Sequence, residues 1–304
     1  MTDTLLMQSI RSADLAKISG LAQKFAARES LEIFRRICTS RYFELETARV
    51  YETGVIKMPI YLSVGEENVP AAISVVSTDF RIFAQHRAHS YYLSFGGDKL
   101  RLIDELLHRE TGCARGMGGS ASIHDPAIGM YGHSGLMGDQ IPIAVGMAVG
   151  SGKSVLAVMG DASGEEDYVI GAMAYAATKK APVLFVCEDN DLSILTPIST
   201  RRSWDIAGVA RSVGLPAVDI ADDPWLIAHH TQELLPRLPA FINVRTCRHL
   251  WHAGVGNDGA PEWDRFSMVK KELGGLGLAQ EAERIESEAK EEIAQLWHKQ
   301  LQKP

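Results

Sequence analysis

Two stretches decide how the chain folds: Val155-Leu-Ala-Val-Met-Gly160-Asp161-Ala162-Ser163 and Pro182-Val-Leu-Phe-Val-Cys-Glu188-Asp189-Asn190-Asp191. Each is a short continuous apolar run, the pattern of a strand buried on both faces of a parallel sheet. Residues 165–179 between them predict a helix. Gly171, Ala172, Ala174, Ala176 and Ala177 allow close packing there, Ser163 or Gly164 serves as N-cap, and Glu165, Glu166 and Asp167 fill the first turn, where the helix dipole favours acids. A helix of this length returns the chain by roughly 22 Å at about 1.5 Å per residue. A six-residue strand carries it forward by roughly 20 Å at about 3.3 Å per residue. Asp161 and Asn190 therefore end at one carboxyl edge, where open α/β sheets bind ligands. A carboxylate and a carboxamide held together offer hard oxygen donors of the kind Mg²⁺ takes when it carries a diphosphate. An Asp after a strand is also commonly only a helix cap; its partner at Asn190 favours the ligand role.

Working outward, residues 1–53 read as helical, with Leu31, Phe34, Ile37 and Cys38 on one face and Gly54 as the stop. Residues 112–140 are Gly-rich and polar, a long loop of the functional kind. Residues 142–150 are small and apolar and predict a buried helix. Two more α/β units follow near 217–235 and 241–245. Residues 279–302 form a charged helix with Ile285, Ala289, Ile293 and Trp297 at helical spacing. Gly150-Ser-Gly-Lys-Ser154 imitates the end of a P-loop, but Met147 stands where the motif needs Gly, and the run follows a helix and precedes a strand, the wrong order.

With 304 residues, 46% hydrophobic and 23% charged, the chain has material for one α/β domain spanning 1–304. A formal net charge of −7 argues against nucleic acid as a partner. Cys38, Cys113, Cys187 and Cys247 are scattered, without CxxC, which fits reduced thiols and a cytoplasmic location. The N-terminus lacks a signal-peptide pattern, and no apolar stretch approaches the ~20 residues that cross a bilayer, so no membrane role is expected.

Several segments taken together resemble the alpha subunit of the thiamine-diphosphate-dependent 2-oxoacid dehydrogenases: IFRRICTSRYFELETARVYETG (33–54), YLSVGEENVPAAI (61–73), FAQHRAHSYYLSFGGD (83–98), GCARGMGGSASIHD (112–125), GHSGLMGDQIPIAVGMAVG (132–150), VMGDASGEEDYVIGAMAYAATKKAPVLFVCEDND (158–191) and TCRHLWHAGVGND (246–258). They run in the family's order. The resemblance implies a thiamine-diphosphate-binding fold, a mostly parallel sheet flanked by helices, with helical N- and C-terminal extensions. It implies Mg²⁺ held by the Asp161 and Asn190 side chains and the Leu192 carbonyl. It also implies diphosphate contacts from Gly160, Ala162, Ser163 and Arg87, and from His86, where relatives carry Tyr. Gly135 and Met137 match backbone contacts to the aminopyrimidine. Ile194 matches the residue that bends the cofactor, although an ordinary core role is a close competitor and either role buries the side chain. His252 matches the family's catalytic loop histidine; a structural loop histidine is its competitor. His89, His124 and His133 lie nearby in sequence without an assigned role.

The resemblance further implies a beta subunit in an α2β2 assembly, supplying the glutamate this chain lacks. A 2-oxo acid would be decarboxylated and its acyl group passed to a lipoyl acyltransferase. Three departures bear on this. The family's GDG is GDA at Ala162, its Asn-Asn pair is Asp189-Asn190, and in its His-Gly-His-Ser loop, here within Arg248-His-Leu-Trp-His252-Ala253, the Gly is Trp251 and the serine is Ala253. The altered loop keeps open a two-subunit carboligase or transketolase-like enzyme that moves a two-carbon unit from a ketose donor to an aldehyde or ketone. The GDA and Asp189 changes keep open a subunit that has lost cofactor binding.

Overall fold

The computed structural model describes residues 18–257 and 265–303. Residues 1–17 of the expected N-terminal helical segment, and Asp258 of the 246–258 stretch, lie outside them. The strands are β1 (Arg81–Phe83), β2 (Met130–Tyr131), β3 (Val155–Gly160), β4 (Val183–Asp189), β5 (Leu192–Ser193), β6 (Thr196–Pro197), β7 (Ala217–Ala221) and β8 (Ala240–Arg245). Six of them form one sheet in the order β2-β1-β3-β4-β8-β7, every neighbouring pair parallel. β5 and β6 make a separate antiparallel hairpin.

The period of two along the central strands sorts their side chains into two layers. Val155, Ala157, Met159, Val183, Phe185 and Cys187 face helices Gln140–Ser151, Asp167–Lys179 and Ile206–Ser212. Leu156, Val158, Leu184 and Val186 face the larger layer, built from helices Ala27–Glu52, Asn68–Val76, Pro224–Leu234 and Ala279–Leu301. Covered on both faces, β3 and β4 have no polar side to show, which is why they read as unbroken apolar runs. The C-terminal helix packs Ile285, Ala289, Ile293 and Trp297 inward, and the Trp297 ring lies 6.0 Å from that of Phe43. The N-terminal helix ends where expected, before Gly54 at φ 74°. Cys38, Cys113 and Cys187 are buried and Cys247 half-buried, all as free thiols. No helix among the described residues is long and apolar enough to cross a membrane.

Three local expectations need correction. The helix after β3 begins at Asp167, not Glu165; Ser163–Glu165 forms a 3-10 turn first, and no side chain caps the helix. Glu165, in that turn, pairs with Arg201 and Arg202. The helix Gln140–Ser151 is not buried all round, since Ile143 and Val149 are exposed on its outer face. Alternation of apolar residues shows that a face needs cover, not that the same chain covers it. The Gly-rich loop carries structure of its own: β2 and a 3-10 turn at Pro126–Ile128. Its first part is gathered around buried Glu105, whose two oxygens accept from the backbone N–H groups of Ala114, Gly116, Gly118 and Gly119 at 2.7–3.0 Å.

Candidate active site

The parallel register Gly160↔Glu188 brings the ends of β3 and β4 out side by side. The order β1-β3-β4 makes the gap between β1 and β3 a point where the winding reverses, so segments leaving β1 and β3 border one crevice. A cavity of about 300 Å³ opens there. All twelve residues singled out from the sequence line it: His86, Arg87, Gly135, Met137, Gly160, Asp161, Ala162, Ser163, Asn190, Leu192, Ile194 and His252. Five others join them: Tyr61, Gln85, Ala121, His133 and Ser193.

One side of the cavity is an oxygen corner. Asp161 is buried; its Oδ1 accepts from Ala162 N at 2.8 Å and its Oδ2 from Arg201 Nη2 at 2.8 Å. Burial first, and Asp189 second, push the Asp161 carboxyl up to about 6 against the pull of Arg201. Asn190 donates through Nδ2 to Glu66 Oε1 at 2.7 Å and accepts from Leu192 N at 3.1 Å. Among the described residues no group of three or more His, Cys, Asp or Glu is placed to hold a metal. The corner instead offers one carboxylate, one carboxamide and one backbone carbonyl. That donor set fits Mg²⁺, which keeps waters and substrate phosphate oxygens in its shell rather than taking an all-protein cage.

The other side is rich in donors. Arg87 is buried with Nε 3.4 Å from Glu66 Oε2. Its Nη1 lies 2.9 Å from His86 Nε2 and its Nη2 3.2 Å from His252 Nδ1. A guanidinium only donates, so both ring nitrogens are acceptors, and the protons sit on His86 Nδ1 and His252 Nε2. Burial, then the Arg87 charge, hold His86 well below the ordinary histidine range, and burial lowers His133 as well. Tyr61 seats both His86 and His252 edge to face, at 4.9 and 5.6 Å between centroids. A planar fork beside neutral imidazoles suits an anion with several oxygens.

The departures have local answers. Ala162 adopts a right-handed helical backbone, φ −71° and ψ −34°, which needs no glycine. The charge added at Asp189 is met by Arg245 Nη1 at 2.7 Å, Asn243 Nδ2 at 3.1 Å and its own loop's Asp191 N–H at 3.1 Å. Trp251 is 53% exposed and does not line the cavity. Its ring covers Gly256 and its Nε1 donates to the Asn257 carbonyl, so it closes its own loop. Ile194 lines the cavity but is not buried, against the burial expected of it in either role. It sits 58% exposed at the cavity mouth, in the two-residue turn between β5 and β6, with φ 54°. A β-branched residue at positive φ is strained, and Arg248 Nη2 holds its carbonyl at 2.8 Å. The Met137 carbonyl accepts from the Tyr168 hydroxyl. His89 lies away from the cavity, bonded to Glu44 and Ser120. Glu66 and Arg201 were missed because their partners are remote in sequence.

The family model described as dehydrogenase E1 component matches residues 35–233. The chain belongs to the dehydrogenase E1 component family. Among curated relatives, the pyruvate dehydrogenase E1 component subunit alpha of Dictyostelium discoideum (mitochondrial) is 34% identical over 172 residues, covering 54% of this chain and 45% of that protein. The subunit of the same name from Rickettsia bellii is 26% identical over 241 residues, 74% of this chain and 73% of its own length. That of Zymomonas mobilis is 31% identical over 219 residues, covering 69% and 61%. The match to this E1 chain thus spans about half to three quarters of these three relatives.

Proposed function

We propose that this E1-family chain is the alpha subunit of a heteromeric thiamine-diphosphate-dependent enzyme that decarboxylates a 2-oxo acid and passes the acyl group to a lipoyl acceptor. The observation that carries the reading is the convergence, in one cavity, of an oxygen corner for a magnesium ion and a guanidinium–imidazole wall for a diphosphate. Asp161, Asn190 and the Leu192 carbonyl would hold Mg²⁺. Gly160, Ala162 and Ser163 would present backbone groups to the diphosphate, and Arg87 and His86 would neutralise and orient it. When bound, thiamine diphosphate supplies the nucleophilic carbon and the electron sink that decarboxylation needs. Gly135 and Met137 line the side assigned to the aminopyrimidine, and Ile194 narrows the mouth. His252 holds its proton on Nε2, the nitrogen turned from Arg87, where it can meet charge developing on a substrate oxygen.

A beta subunit completes the proposal, in an α2β2 assembly. Asp161 is the only carboxylate lining the cavity among the described residues, and the reading assigns it to the metal. The reading therefore assigns the acid for the pyrimidine to the beta chain. The uncovered apolar faces of helices Gln140–Ser151 and Asp167–Lys179, with Ile143, Val149 and Tyr175 exposed and open space over Gly146, Gly150 and Gly171, support a partner there. No observation favours the carboligase alternative, since Trp251, the residue that motivated it, does not line the cavity. The test is to assay the chain alone and with its beta chain for acylation of a lipoyl domain from 2-oxo acids. Acylation only by the pair is expected. Turnover by the chain alone, or two-carbon transfer to an aldehyde without lipoyl acylation, would refute the reading.

A further inference from the structure

Glu66 is 1% exposed and does not line the cavity, yet it touches two groups that do. Its Oε1 accepts from Asn190 Nδ2 at 2.7 Å, with Thr246 Oγ1 3.4 Å away. Its Oε2 lies 3.4 Å from Arg87 Nε. The backbone fixes its place. Gly65 has φ 101°, and a Cβ there would stand 1.9 Å from the Cys247 carbonyl oxygen, so only glycine lets this turn press against the segment after β8. Glu66 N then donates to Ser63 O at 2.9 Å.

An asparagine serves a hard cation only through its oxygen, and the two ends of the amide are nearly the same shape. A carboxylate that can only accept removes the ambiguity. Turning the amide over would set its oxygen against Glu66 and leave both N–H bonds facing the metal corner. The Leu192 N–H on Asn190 Oδ1 enforces the same orientation. Arg87 meanwhile is flanked along its fork: Nε is ion-paired with Glu66 Oε2 at 3.4 Å, and Nη1 and Nη2 meet the ring nitrogens of His86 and His252. We infer that Glu66 is a positioning residue: one buried carboxylate that keys the Asn190 oxygen toward the metal and aims Arg87 at the diphosphate, so that the two grips are set together. The inference rests on the cofactor site proposed above.

The test is calorimetric titration of MgCl2, with thiamine diphosphate present, into the full chain assembled with its beta chain. Binding by the wild type is the control; none at all would overturn the cofactor site and this inference with it. Glu66→Ala is expected to weaken Mg²⁺ binding roughly tenfold or more, as loss of a hydrogen bond to a charged group does. Glu66→Gln keeps an acceptor for the amide and should lose less. In an Asn190→Asp background there is no amide to orient, and Glu66 becomes a repulsive neighbour. Adding Glu66→Gln there should strengthen binding several-fold, a change of sign that a merely structural role would not produce. Glu66→Gln changing affinity by less than twofold in the wild type, or weakening it equally in both backgrounds, would overturn the inference.

Discussion

Replacing Glu105 by Gln tests whether the Gly-rich loop owes its shape to one carboxylate. Oε2 accepts from Ala114 N and Gly116 N, and Oε1 from Gly118 N and Gly119 N. Glu105 is fully buried. Gln has one oxygen and one NH2, so whichever way it sits, two backbone N–H groups meet a donor. Each unsatisfied buried donor costs about 1–3 kcal/mol, giving about 2–6 kcal/mol for the pair. For a chain of this size about 2 °C of Tm is lost per kcal/mol, so a fall of roughly 4–12 °C is expected by calorimetry. The loop leads on to His133, Gly135 and Met137 in the cavity wall, so cofactor affinity should fall as well. Glu105→Gln with Tm within about 2 °C of wild type and unchanged thiamine diphosphate binding would refute the reasoning.

Arg201→Gln removes the guanidinium from Asp161 Oδ2 and Glu165 Oε1. Leaving Asp161 without its buried partner should cost the cofactor-free protein about 3–5 kcal/mol. A divalent cation should restore most of it, so the thermal shift produced by Mg²⁺ and thiamine diphosphate should be larger than in the wild type; an equal shift would count against a metal at Asp161. Ala162→Gly recreates the family's GDG but adds only backbone freedom at a right-handed position. It should destabilise by about 0.5–1 kcal/mol in thermal melts and leave cofactor affinity unchanged; a gain in affinity would show that Ala162 is a defect. His230 is buried, burial lowers it to about 4, and its Nε2 has no hydrogen-bond partner among the described residues. Its folded-state value lies below the ordinary 6.5, so its contribution is fully present above pH 6.5 and is lost as pH falls toward 4. The loss should be about 2–3 kcal/mol. Melts across this window should show a smaller loss of stability in His230→Gln than in the wild type, the difference between the two being the His230 contribution; identical curves would refute it.

What the sequence disclosed followed from local rules. β3 and β4 were legible because covering both faces of a strand leaves an unbroken apolar run, and the polar residues at its end then mark the carboxyl edge. From Asp161 and Asn190 the oxygen corner could be placed before any coordinates. The partners that set those residues were not legible. Glu66 stands 124 positions from Asn190 and Arg201 40 from Asp161, and no local pattern reports a contact made only when the chain closes. The misplaced helix start has a similar cause: cap chemistry favoured Ser163 or Gly164, whereas Glu165 pairs with Arg201 at the end of the short helix Ile198–Arg201 and with Arg202 after it. The exposure of Ile194 was not legible because its positive φ is a property of the β5–β6 turn, which no local pattern of apolar residues reports. The helix Gln140–Ser151 read as buried because its outer face is as apolar as a core face.

The most direct test of the metal corner is an anomalous difference map at the manganese edge, from crystals of the full chain with its beta chain grown with Mn²⁺ and thiamine diphosphate. A single peak in contact with the Asp161 carboxylate, Asn190 Oδ1 and the Leu192 carbonyl, with the diphosphate against Arg87, is the predicted result. Cofactor density with no peak at that corner, or with Asn190 turned so that its nitrogen faces the ion, would contradict it.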